Sequence, residues 1–368
     1  MNILVVAPKS RPVYNFRGDL IREMIKKGNT VTAVGPEDEY RKEIESMGVK
    51  YICLKMNKTS ISVLHDIKYC LSLRKIIKSE KIDMTFAFTI KPVVYGSIAA
   101  KTCGLKNIYS MIAGLGRLFG EKRGIKTTIV RMISGMLYKT AFKCCNKVFF
   151  QNQDDLEEFV KYGYLKREKT QRVNGSGVNM ERFSPTGLPE IPTFLMVSRV
   201  LKDKGVFEFI EAAKILKSKH PEAKCILLGG FDSAMGAITH DELKPYIDSG
   251  AIEFPGETKN VQPYFENASV FVLPTYYREG IPRTILEALA NKMPVITTNM
   301  PGCKETVEEG KNGFLIPIKN AEALAEKMEW FVNHPDETEK MAGRSLEICK
   351  EKFDVNKVNR VILDTMGL

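Results

Sequence analysis

Short apolar runs alternate with helix-forming stretches along the first half of the chain. The predicted strands are residues 3–7, 30–34, 50–54, 84–88, 108–112 and 148–151. The predicted helices lie between them, at residues 16–27, 38–47, 62–79, 92–102 and 126–143. Because alternating strands and helices fold into parallel sheets with helices on both faces, this order predicts a doubly wound α/β domain. Ligands of such domains bind beyond the carboxyl ends of the strands.

The same alternation resumes after a stretch rich in proline and glycine. Four residues mark this stretch as a linker: Pro185, Gly187, Pro189 and Pro192. At 368 residues the chain is also longer than one hydrophobic core usually supports, since single cores stop growing near about 250–300 residues. We therefore expect two α/β domains, residues 1–185 and residues 193–353.

Residues 270–291 predict a strand, a turn and a helix in direct succession. The apolar run 270–273 ends at Pro274, and good helix formers follow at residues 284–290. The first backbone N–H groups of a helix have no partner within it, so an anion there gains about 0.3–1 kcal/mol. Phosphate is a natural ligand of such a site, and Gly280 in the turn lets a ligand approach the backbone closely.

Three charged side chains accompany this helix start. Arg283 offers a planar fork of N–H donors for phosphate oxygens. Glu279 lies in the turn and Glu287 in the second helical turn, and ionised carboxylates accept hydrogen bonds from sugar hydroxyls. Together the three favour a nucleotide-sugar site. Taken singly, Glu279 is also consistent with a solvated loop residue, and Glu287 with an exposed residue of the helix.

Two further cations lie at another predicted junction of strand and helix. Arg199 follows the predicted strand 194–198, and Lys204 precedes the predicted helix 207–219. Two cations at such a junction can bind one diphosphate, although either alone is also typical of a protein surface.

The segment from Glu279 to Glu287, Glu-Gly-Ile-Pro-Arg-Thr-Ile-Leu-Glu, resembles the two-glutamate motif of the family-four retaining glycosyltransferases. The resemblance continues at residues 197–205, 294–298, 302–305 and 310–314. In the first half, Thr89-Ile-Lys-Pro92 and Gly114-Leu-Gly116 resemble the enzymes that build bacterial capsule, O-antigen and lipid-linked oligosaccharides. The resemblance implies the GT-B fold, in which two Rossmann-like domains face a cleft and residues 354–368 return to the first domain.

The resemblance also implies roles for individual residues. Glu279 would hold the donor sugar, while Arg199 and Lys204 neutralise the leaving diphosphate. Glu287 would bind the ribose hydroxyls. Further substrate contacts would come from Gly230, Val261, Gly280, Ile281, Arg283 and Thr284. The implied reaction moves a hexose or N-acetylhexosamine from a UDP-sugar to a glycan acceptor, with a polyprenyl-diphosphate-linked glycan as the expected acceptor.

No Asp-x-Asp motif occurs in the chain, so we expect no metal ion and no cofactor beyond the UDP-sugar co-substrate. Arg199, Lys204, Arg283 and the helix N-terminus would stabilise the charge of the leaving diphosphate instead. The four histidines lie outside the matching motifs, at His65, His220, His240 and His334. No general base is therefore assigned.

The first domain carries candidate acceptor contacts at predicted strand ends. Asn15 and Arg17 lie at the predicted start of a helix, where the helix N-terminus and the guanidinium together suit a pyrophosphate. Lys91 and Gly114 each follow a predicted strand. Each of these residues is also consistent with an ordinary surface or turn position.

Positive charge is concentrated in the first half of the chain. Residues 1–185 hold 33 Lys and Arg against 17 Asp and Glu, a net +16, whereas residues 186–368 hold 22 against 27, a net −5. This asymmetry favours an anionic partner. Residues 121–147 combine seven basic residues and one acid with apolar residues at helical spacing: Ile125, Ile129, Met132, Ile133, Met136 and Leu137. They predict a helix that either lies on an anionic membrane or covers the sheet with its apolar face.

Other features bear on location. No run of 18 apolar residues occurs, the first residues lack a basic signal-peptide region, and the eight cysteines include no Cys-x-x-Cys pair. We expect a cytoplasmic protein, with peripheral attachment to the inner membrane as a further hypothesis.

Two other functions compete with sugar transfer. A nucleotide-sugar epimerase would share the two-domain layout but needs acid–base side chains at the sugar. A nucleic-acid-binding protein would account for the basic first half, but no recognised nucleic-acid module occurs, and no nucleic acid is expected as a partner.

Overall fold

The computed structural model describes residues 1–56, 63–116, 125–183, 185 and 187–368, with secondary structure alone at residues 63 and 125–127. The chain divides into two compact units: Met1–Ser176 with Val355–Leu368, and Gly177–Asp354. The division precedes the proline- and glycine-rich stretch 185–192 instead of falling within it. Residues 177–185 thus belong to the second unit.

The first unit is built on a seven-stranded parallel sheet in the order β3-β2-β1-β4-β5-β6-β7. Its strands are β1 (Asn2–Val6), β2 (Thr30–Gly35), β3 (Lys50–Cys53), β4 (Met84–Phe88), β5 (Asn107–Ile112), β6 (Lys147–Phe150) and β7 (Thr170–Arg172). Val5 of β1 lies between Ala33 of β2 and Phe86 of β4. Strands covered on both faces explain the nearly continuous apolar runs of the sequence.

Helices cover both faces of this sheet. Those that precede residue 177 are α1 (Ser10–Lys26), α2 (Arg41–Glu45), α3 (Val63–Ser79), α4 (Ile90–Thr102), α5 (Ile125–Cys144) and α6 (Gln153–Lys161). Leu73 of α3, Val94 of α4 and Phe142 of α5 share one hydrophobic cluster. Leu20 of α1 and Ile44 of α2 belong to another cluster, on the opposite face.

The second unit is built on a six-stranded parallel sheet in the order β10-β9-β8-β11-β12-β13. Its strands are β8 (Thr193–Val197), β9 (Lys224–Leu228), β10 (Glu253–Gly256), β11 (Val270–Leu273), β12 (Val295–Thr298) and β13 (Gly313–Ile316). Its helices are α7 (Val206–Lys219), α8 (His240–Asp248), α9 (Gln262–Glu266), α10 (Arg283–Ala290), α11 (Ala321–Asn333) and α12 (Pro335–Ile348). Phe209, Leu286 and Met328 join these helices to the strands in one core. The prediction of two doubly wound parallel α/β sheets is confirmed.

The last helix, α13 (Val355–Met366), belongs to the first unit. Val358, Ile362 and Leu363 pack in the same hydrophobic cluster as α1. At its end, Lys27 donates a hydrogen bond from Nζ to the Leu368 carbonyl oxygen at 3.1 Å. Helix α13 therefore packs in the first unit, although it follows the second unit in the sequence.

Each sheet reverses its winding at one pair of adjacent strands, which we call its switch point. In the first unit the chain runs outward from β1 to β3 and resumes on the other side of β1 at β4. In the second unit it runs outward from β8 to β10 and resumes beside β8 at β11. The loops that leave the two strands diverge there, and the crevice between them is where ligands of such folds bind.

Candidate active site

Two loops leave the β8/β11 switch point, and hydrogen bonds tie them together. Thr275 donates from Oγ1 to the Asp203 carbonyl oxygen at 3.0 Å, and the Tyr276 N–H donates to the same oxygen at 2.9 Å. Gly205 permits this approach, because its φ is +80° and a Cβ there would lie 2.2 Å from the Pro274 carbonyl oxygen. The turn before Gly205 is therefore held against the exit of β11.

This loop contact brings Lys204 and Glu279 together, although they are 75 positions apart in sequence. Lys204 donates from Nζ to Glu279 Oε1. Lys204 is only 8% exposed, and its Nζ lies 5.5 Å from the centre of the Tyr277 ring. A desolvated ammonium needs such a partner. The pair places a cation suited to phosphate beside a carboxylate suited to hydroxyl groups.

The backbone next to Glu279 is supported by a second glycine contact. Gly302 has a φ of +85°, and a Cβ there would lie 1.4 Å from the Gly280 carbonyl oxygen. The Gly302 N–H donates to Glu305 Oε2 at 2.7 Å, which fixes the turn that carries it. Any side chain at position 302 would therefore displace the loop that carries Glu279.

Helix α10 begins at Arg283, one residue before the run of helix formers at 284–290. Pro282 is its N-cap, with extended backbone angles, so Arg283 is the first helical residue. Gly280, Ile281 and Pro282 are buried, and Thr284 is half-buried. The helix thus starts directly after the turn that carries Glu279, with its first N–H groups directed out of the N-terminus.

Arg283 and Glu287 form an ion pair along α10. Arg283 Nε lies 3.1 Å from Glu287 Oε1, and the guanidinium also donates to the Gly177 carbonyl oxygen. Both side chains are largely buried, at 11% and 19% exposure. Burial raises the pKa of Glu287, while the charge of Arg283 opposes that rise. Arg283 therefore orients Glu287 in this structure. The prediction assigned Arg283 to phosphate oxygens and did not include this ion pair.

Arg199 has a partner that sequence analysis missed. Its Nη1 lies 2.6 Å from Asp232 Oδ2, and the Arg199 side chain is 53% exposed. Partial burial acts to raise the pKa of Asp232, but the hydrogen bonds from Arg199 and the Ala234 N–H outweigh it and hold that pKa below its ordinary value. Asp232 lies shortly after the carboxyl end of β9. Because ligands bind beyond such strand ends, its position in the sequence could have identified it as a candidate site residue.

Gly230 and Val261 lie beyond the neighbouring strands. Gly230 follows β9, and its carbonyl oxygen accepts from the Val200 N–H at 3.0 Å. A Cβ at Gly230 would lie 2.6 Å from Glu257 Oε2, so the strand exit is narrow. Val261 is the N-cap of α9, and both residues are half-buried. Their expected contacts with the substrate stay a prediction.

In the first unit, the prediction that Asn15 and Arg17 lie at a helix start is wrong. Helix α1 begins at Ser10, so both residues lie within it. The Ser10 N–H and Oγ donate to the two carboxylate oxygens of Glu37, at 2.6 and 2.7 Å. Pro12, which the first turn of a helix tolerates, is the sequence signal for the earlier start.

Arg17 nevertheless reaches the carboxyl ends of the strands from within α1. It is only 3% exposed. Its guanidinium carbon lies 5.7 Å from the centre of the Phe88 ring, and Nη2 lies 2.7 Å from Met111 Sδ. Phe88 ends β4 and its neighbour Met111 lies near the end of β5, so Arg17 packs against the carboxyl ends of these two strands, one strand from β1.

Two further features mark the β1/β4 switch point. Thr89, which follows β4, has φ +69° and ψ 164°, a conformation that costs a residue other than glycine about 1–3 kcal/mol. Lys91 donates from Nζ to Asp66 Oδ1 at 2.8 Å, and Tyr95 donates to Asp66 Oδ2 at 2.9 Å. Lys91 is therefore held by an acid of α3.

Gly114 follows β5, the strand next to β4, and has φ +100°.

Residues 117–124, which include the start of the basic stretch 121–147, lie outside the described residues. Among the residues that the structure describes, no group of three or more His, Cys, Asp or Glu is arranged to hold a metal ion. Within the same part of the chain, no helix is both long and apolar enough to cross a membrane.

Two family profiles match the chain. The profile "Glycosyl transferase 4-like" matches residues 2–152, and "Glycosyl transferases group 1" matches residues 181–346. With both halves matched, this chain is a glycosyltransferase. The resemblance of the two-glutamate segment to glycosyltransferases is thereby confirmed.

Curated relatives of this glycosyltransferase include enzymes of lipid-linked glycan assembly. It is 28% identical over 342 residues to N,N'-diacetylbacillosaminyl-diphospho-undecaprenol alpha-1,3-N-acetylgalactosaminyltransferase of Campylobacter jejuni, covering 89% of this chain and 88% of that protein. It is 25% identical to UDP-Gal:alpha-D-GlcNAc-diphosphoundecaprenol alpha-1,3-galactosyltransferase of Escherichia coli, covering 72% and 70%. It is also 25% identical to the Staphylococcus aureus capsular polysaccharide biosynthesis glycosyltransferase CapM, covering 95% and 92%.

Solved structures show the same fold. Anabaena Alr3699/HepE in complex with UDP-glucose matches the glycosyltransferase with a TM-score of 0.79 at 18% identity, covering 100% of this chain and 99% of that one. A glycosyltransferase from Rickettsia africae matches with a TM-score of 0.78 at 21% identity, covering 99% and 97%. At these identities the likeness concerns the fold, and the expected GT-B fold class is confirmed.

Proposed function

We propose that this glycosyltransferase moves a hexose or N-acetylhexosamine from a UDP-sugar to a glycan linked to a polyprenyl diphosphate, with retention of the anomeric configuration and without a metal ion. The observation that carries this proposal is the contact between Lys204 and Glu279 at the β8/β11 switch point, directly before α10. One cation and one carboxylate, fixed side by side at a helix start, suit a diphosphate and a sugar respectively.

The leaving diphosphate would be stabilised by fixed positive charge. Lys204 is held in place by the loop contacts around Gly205, and the first N–H groups of α10 add a partial positive charge. Arg199 is the more exposed of the two cations and can exchange Asp232 for a phosphate oxygen. Preorganised charge at the place where negative charge develops is usually the largest single contribution to catalysis.

The two glutamates would take different parts of the donor. Glu279, beside the diphosphate cation, would accept hydrogen bonds from sugar hydroxyls and hold the sugar for attack. Glu287, oriented by Arg283, would accept hydrogen bonds from the ribose. This division predicts that loss of Glu279 reduces turnover and that loss of Glu287 reduces nucleotide affinity.

The reaction step itself needs no further reagent. The bond from the anomeric carbon to the diphosphate oxygen breaks, and the acceptor hydroxyl oxygen bonds to the same face of that carbon. The acceptor proton passes to the departing UDP. No side chain is assigned as general base.

The acceptor class is supported by the relatives, whose names specify diphospho-undecaprenol acceptors in Campylobacter jejuni and Escherichia coli. The UDP donor is supported by the name of the Escherichia coli relative and by the bound UDP-glucose of the Anabaena structure. The individual sugar is left to experiment.

The test is UDP release by the purified chain with single UDP-sugars, with and without a polyprenyl-diphosphate-linked glycan fraction, each measured in the presence and in the absence of EDTA. Release that requires both substrates supports the proposal and identifies the donor. Release that EDTA abolishes would contradict the metal-free mechanism. Formation of an epimeric nucleotide-sugar without an acceptor would replace the proposal with an isomerase.

A further inference from the structure

Arg199 and Asp232 lie on two loops that run side by side beyond the carboxyl ends of β8 and β9. Backbone hydrogen bonds join these loops. The Val200 N–H donates to the Gly230 carbonyl oxygen at 3.0 Å, and the Lys202 N–H donates to a carbonyl oxygen of the β9 loop at 2.8 Å. Neither bond involves the side chain of Arg199 or Asp232. The paired loops therefore bring the two side chains together without depending on the ion pair that they form.

The ion pair itself is an exposed contact through one nitrogen. Arg199 Nη1 lies 2.6 Å from Asp232 Oδ2, and the two side chains are 53% and 24% exposed. Ion pairs at such exposure contribute little to stability, because water competes for both groups. The guanidinium can therefore exchange this partner for another anion at small cost.

Asp232 keeps other hydrogen bonds when Arg199 turns away. Its Oδ1 accepts from the Ala234 N–H at 2.9 Å, and the Ser233 backbone donates to the same carboxylate. Partial burial acts to raise the pKa of Asp232, but the hydrogen bonds from Arg199 and from this backbone hold that pKa below its ordinary value. The carboxylate is therefore charged, and exchange of Arg199 does not leave it without a donor.

A diphosphate that binds beside Arg199 competes with this carboxylate. Both groups are anions that prefer charged N–H donors, and like charges at short separation repel each other. The same exchange is not expected at Lys204. That ammonium and its partner Glu279 are only 10% and 18% exposed, and breaking a buried pair leaves a desolvated charge without compensation.

We propose that Asp232 is a displaceable counter-ion of the donor site, which holds Arg199 while the site is empty and yields it to the diphosphate of a bound nucleotide. Asp232 is thus a positioning residue that acts through Arg199. Its carboxylate lowers the affinity for a nucleoside diphosphate and recaptures the guanidinium as the product UDP leaves. The inference rests on the proposed function, in which Arg199 contacts the leaving diphosphate.

A permanent orienting contact would have the opposite effect. If Asp232 kept its bond to Arg199 in the nucleotide complex, loss of the carboxylate would weaken nucleotide binding. An orienting contact needs a side chain that is locked by packing and further hydrogen bonds. The contact through one nitrogen and the exposure of Arg199 favour exchange instead.

The test is calorimetric titration of the full chain with UDP. Asp232→Asn keeps an oxygen for the Ala234 N–H but removes the charge, and it should bind UDP roughly three- to tenfold more tightly. In steady-state kinetics it should lower KM for the UDP-sugar more than it changes kcat, and product inhibition by UDP should become stronger. A merely structural role would not tighten binding. Thermal unfolding of the variant should match that of the native chain, because the backbone bonds between the loops remain.

Glu242→Gln is the matched control. Glu242 pairs with Lys202 at the surface, where Nζ lies 3.1 Å from Oε1. The change removes the same charge from α8, and glutamine retains the capping box with Thr239. Its UDP affinity should equal that of the native chain. The route through Arg199 is tested by a double-mutant cycle, in which Asp232→Asn added to Arg199→Gln should leave UDP affinity unchanged.

The proposal is overturned if Asp232→Asn binds UDP as tightly as the native chain or more weakly, if Glu242→Gln tightens binding equally, or if the gain persists in the Arg199→Gln background. Each of these results leaves the proposed transferase reaction intact. If the native chain does not bind UDP, the proposed donor is wrong, and GDP becomes the probe, because the contact concerns the diphosphate. Binding of neither nucleotide would overturn both proposals.

Discussion

The two switch points hold their charged residues in different ways. At β8/β11, Lys204 and Glu279 both lie on loops that follow strands, and they bond to each other. Beside β1/β4, Arg17 comes from the interior of α1 and packs against Phe88 of β4 and Met111 of β5. Residues of a site built from loops can be recognised in the sequence because they directly follow predicted strands. A residue that extends to the strand ends from within a helix cannot be recognised in this way.

The backbones of the two regions differ as well. At β8/β11, Gly205 and Gly302 have positive φ angles in the loops that pack against the end of β11. Glycine adopts such angles without a steric penalty. At β1/β4, a positive φ falls on Thr89. The second unit thus achieves close loop packing with glycine, while the first unit carries local strain at its crevice.

The largest expected effect tests the loop-built site. Lys204→Ala should lower kcat/KM for UDP release roughly 10²–10³-fold, because it removes a fixed charge at the developing anion. Lys202→Ala is the control, since Lys202 lies two residues away and pairs with Glu242 at the surface. Equal activity of the two variants would show that the contact between Lys204 and Glu279 is structural only.

The two glutamates provide the next comparison. Glu287→Ala should weaken UDP binding by roughly 10- to 150-fold, since a hydrogen bond to a charged group contributes about 1.5–3 kcal/mol. Glu279→Ala should mainly lower kcat. Calorimetric titration of both variants with UDP, beside their steady-state kinetics, separates the roles. Unchanged UDP affinity of Glu287→Ala would refute the ribose assignment.

The raised pKa of Glu287 gives that comparison a pH dependence. A protonated carboxyl accepts ribose hydrogen bonds poorly, so UDP affinity should fall as pH drops toward a pKa above the ordinary glutamate value of about 4.3. The loss should therefore begin at a higher pH than for an ordinary glutamate. Glu287→Gln should show weaker affinity with this pH dependence removed. A native profile that stays flat down to the ordinary glutamate value would contradict the expectation.

Glycine packing at β8/β11 can be tested by one added methyl group. Gly302→Ala should lower the free energy of unfolding by about 1–3 kcal/mol more than Gly310→Ala. Both glycines have positive φ, but a Cβ at Gly302 would lie 1.4 Å from the Gly280 carbonyl oxygen, whereas a Cβ at Gly310 would meet nothing within 4 Å. Urea unfolding measures the difference. If both variants unfold alike, the contact with Gly280 contributes nothing to stability.

The smallest effect concerns the strained residue of the first unit. Thr89→Gly should raise the free energy of unfolding by about 1 kcal/mol, because the relieved strain of about 1–3 kcal/mol exceeds the entropy cost of glycine. Lys81→Gly, at φ +50° in an exposed turn, should give a smaller gain. Urea unfolding of both variants tests this, and destabilisation by Thr89→Gly would mean that its side chain contributes packing that outweighs the strain.

Sequence alone determined the fold class and much of the candidate site in the second unit. The apolar runs of β1, β4, β8 and β11 indicate buried parallel strands because both of their faces are covered. The motif from Glu279 to Glu287 is contiguous, so its strand, turn and helix could be predicted together. The start of α1 could not be placed correctly, because Pro12 was a weaker signal than the apolar spacing that follows it.

Tertiary structure decided which side chains meet. Lys204 reaches Glu279, and Arg199 reaches Asp232, only because β8 lies beside both β11 and β9 in the sheet. Which side of α5 packs on the sheet was decided in the same way: Tyr138 and Phe142 are buried, whereas Met132 and Met136 are exposed. Helical spacing gives the relative direction of side chains but not which side the sheet covers. Local preferences and periodicity are encoded in neighbouring residues, whereas contacts between distant residues depend on strand order, which arises only when the whole sheet assembles.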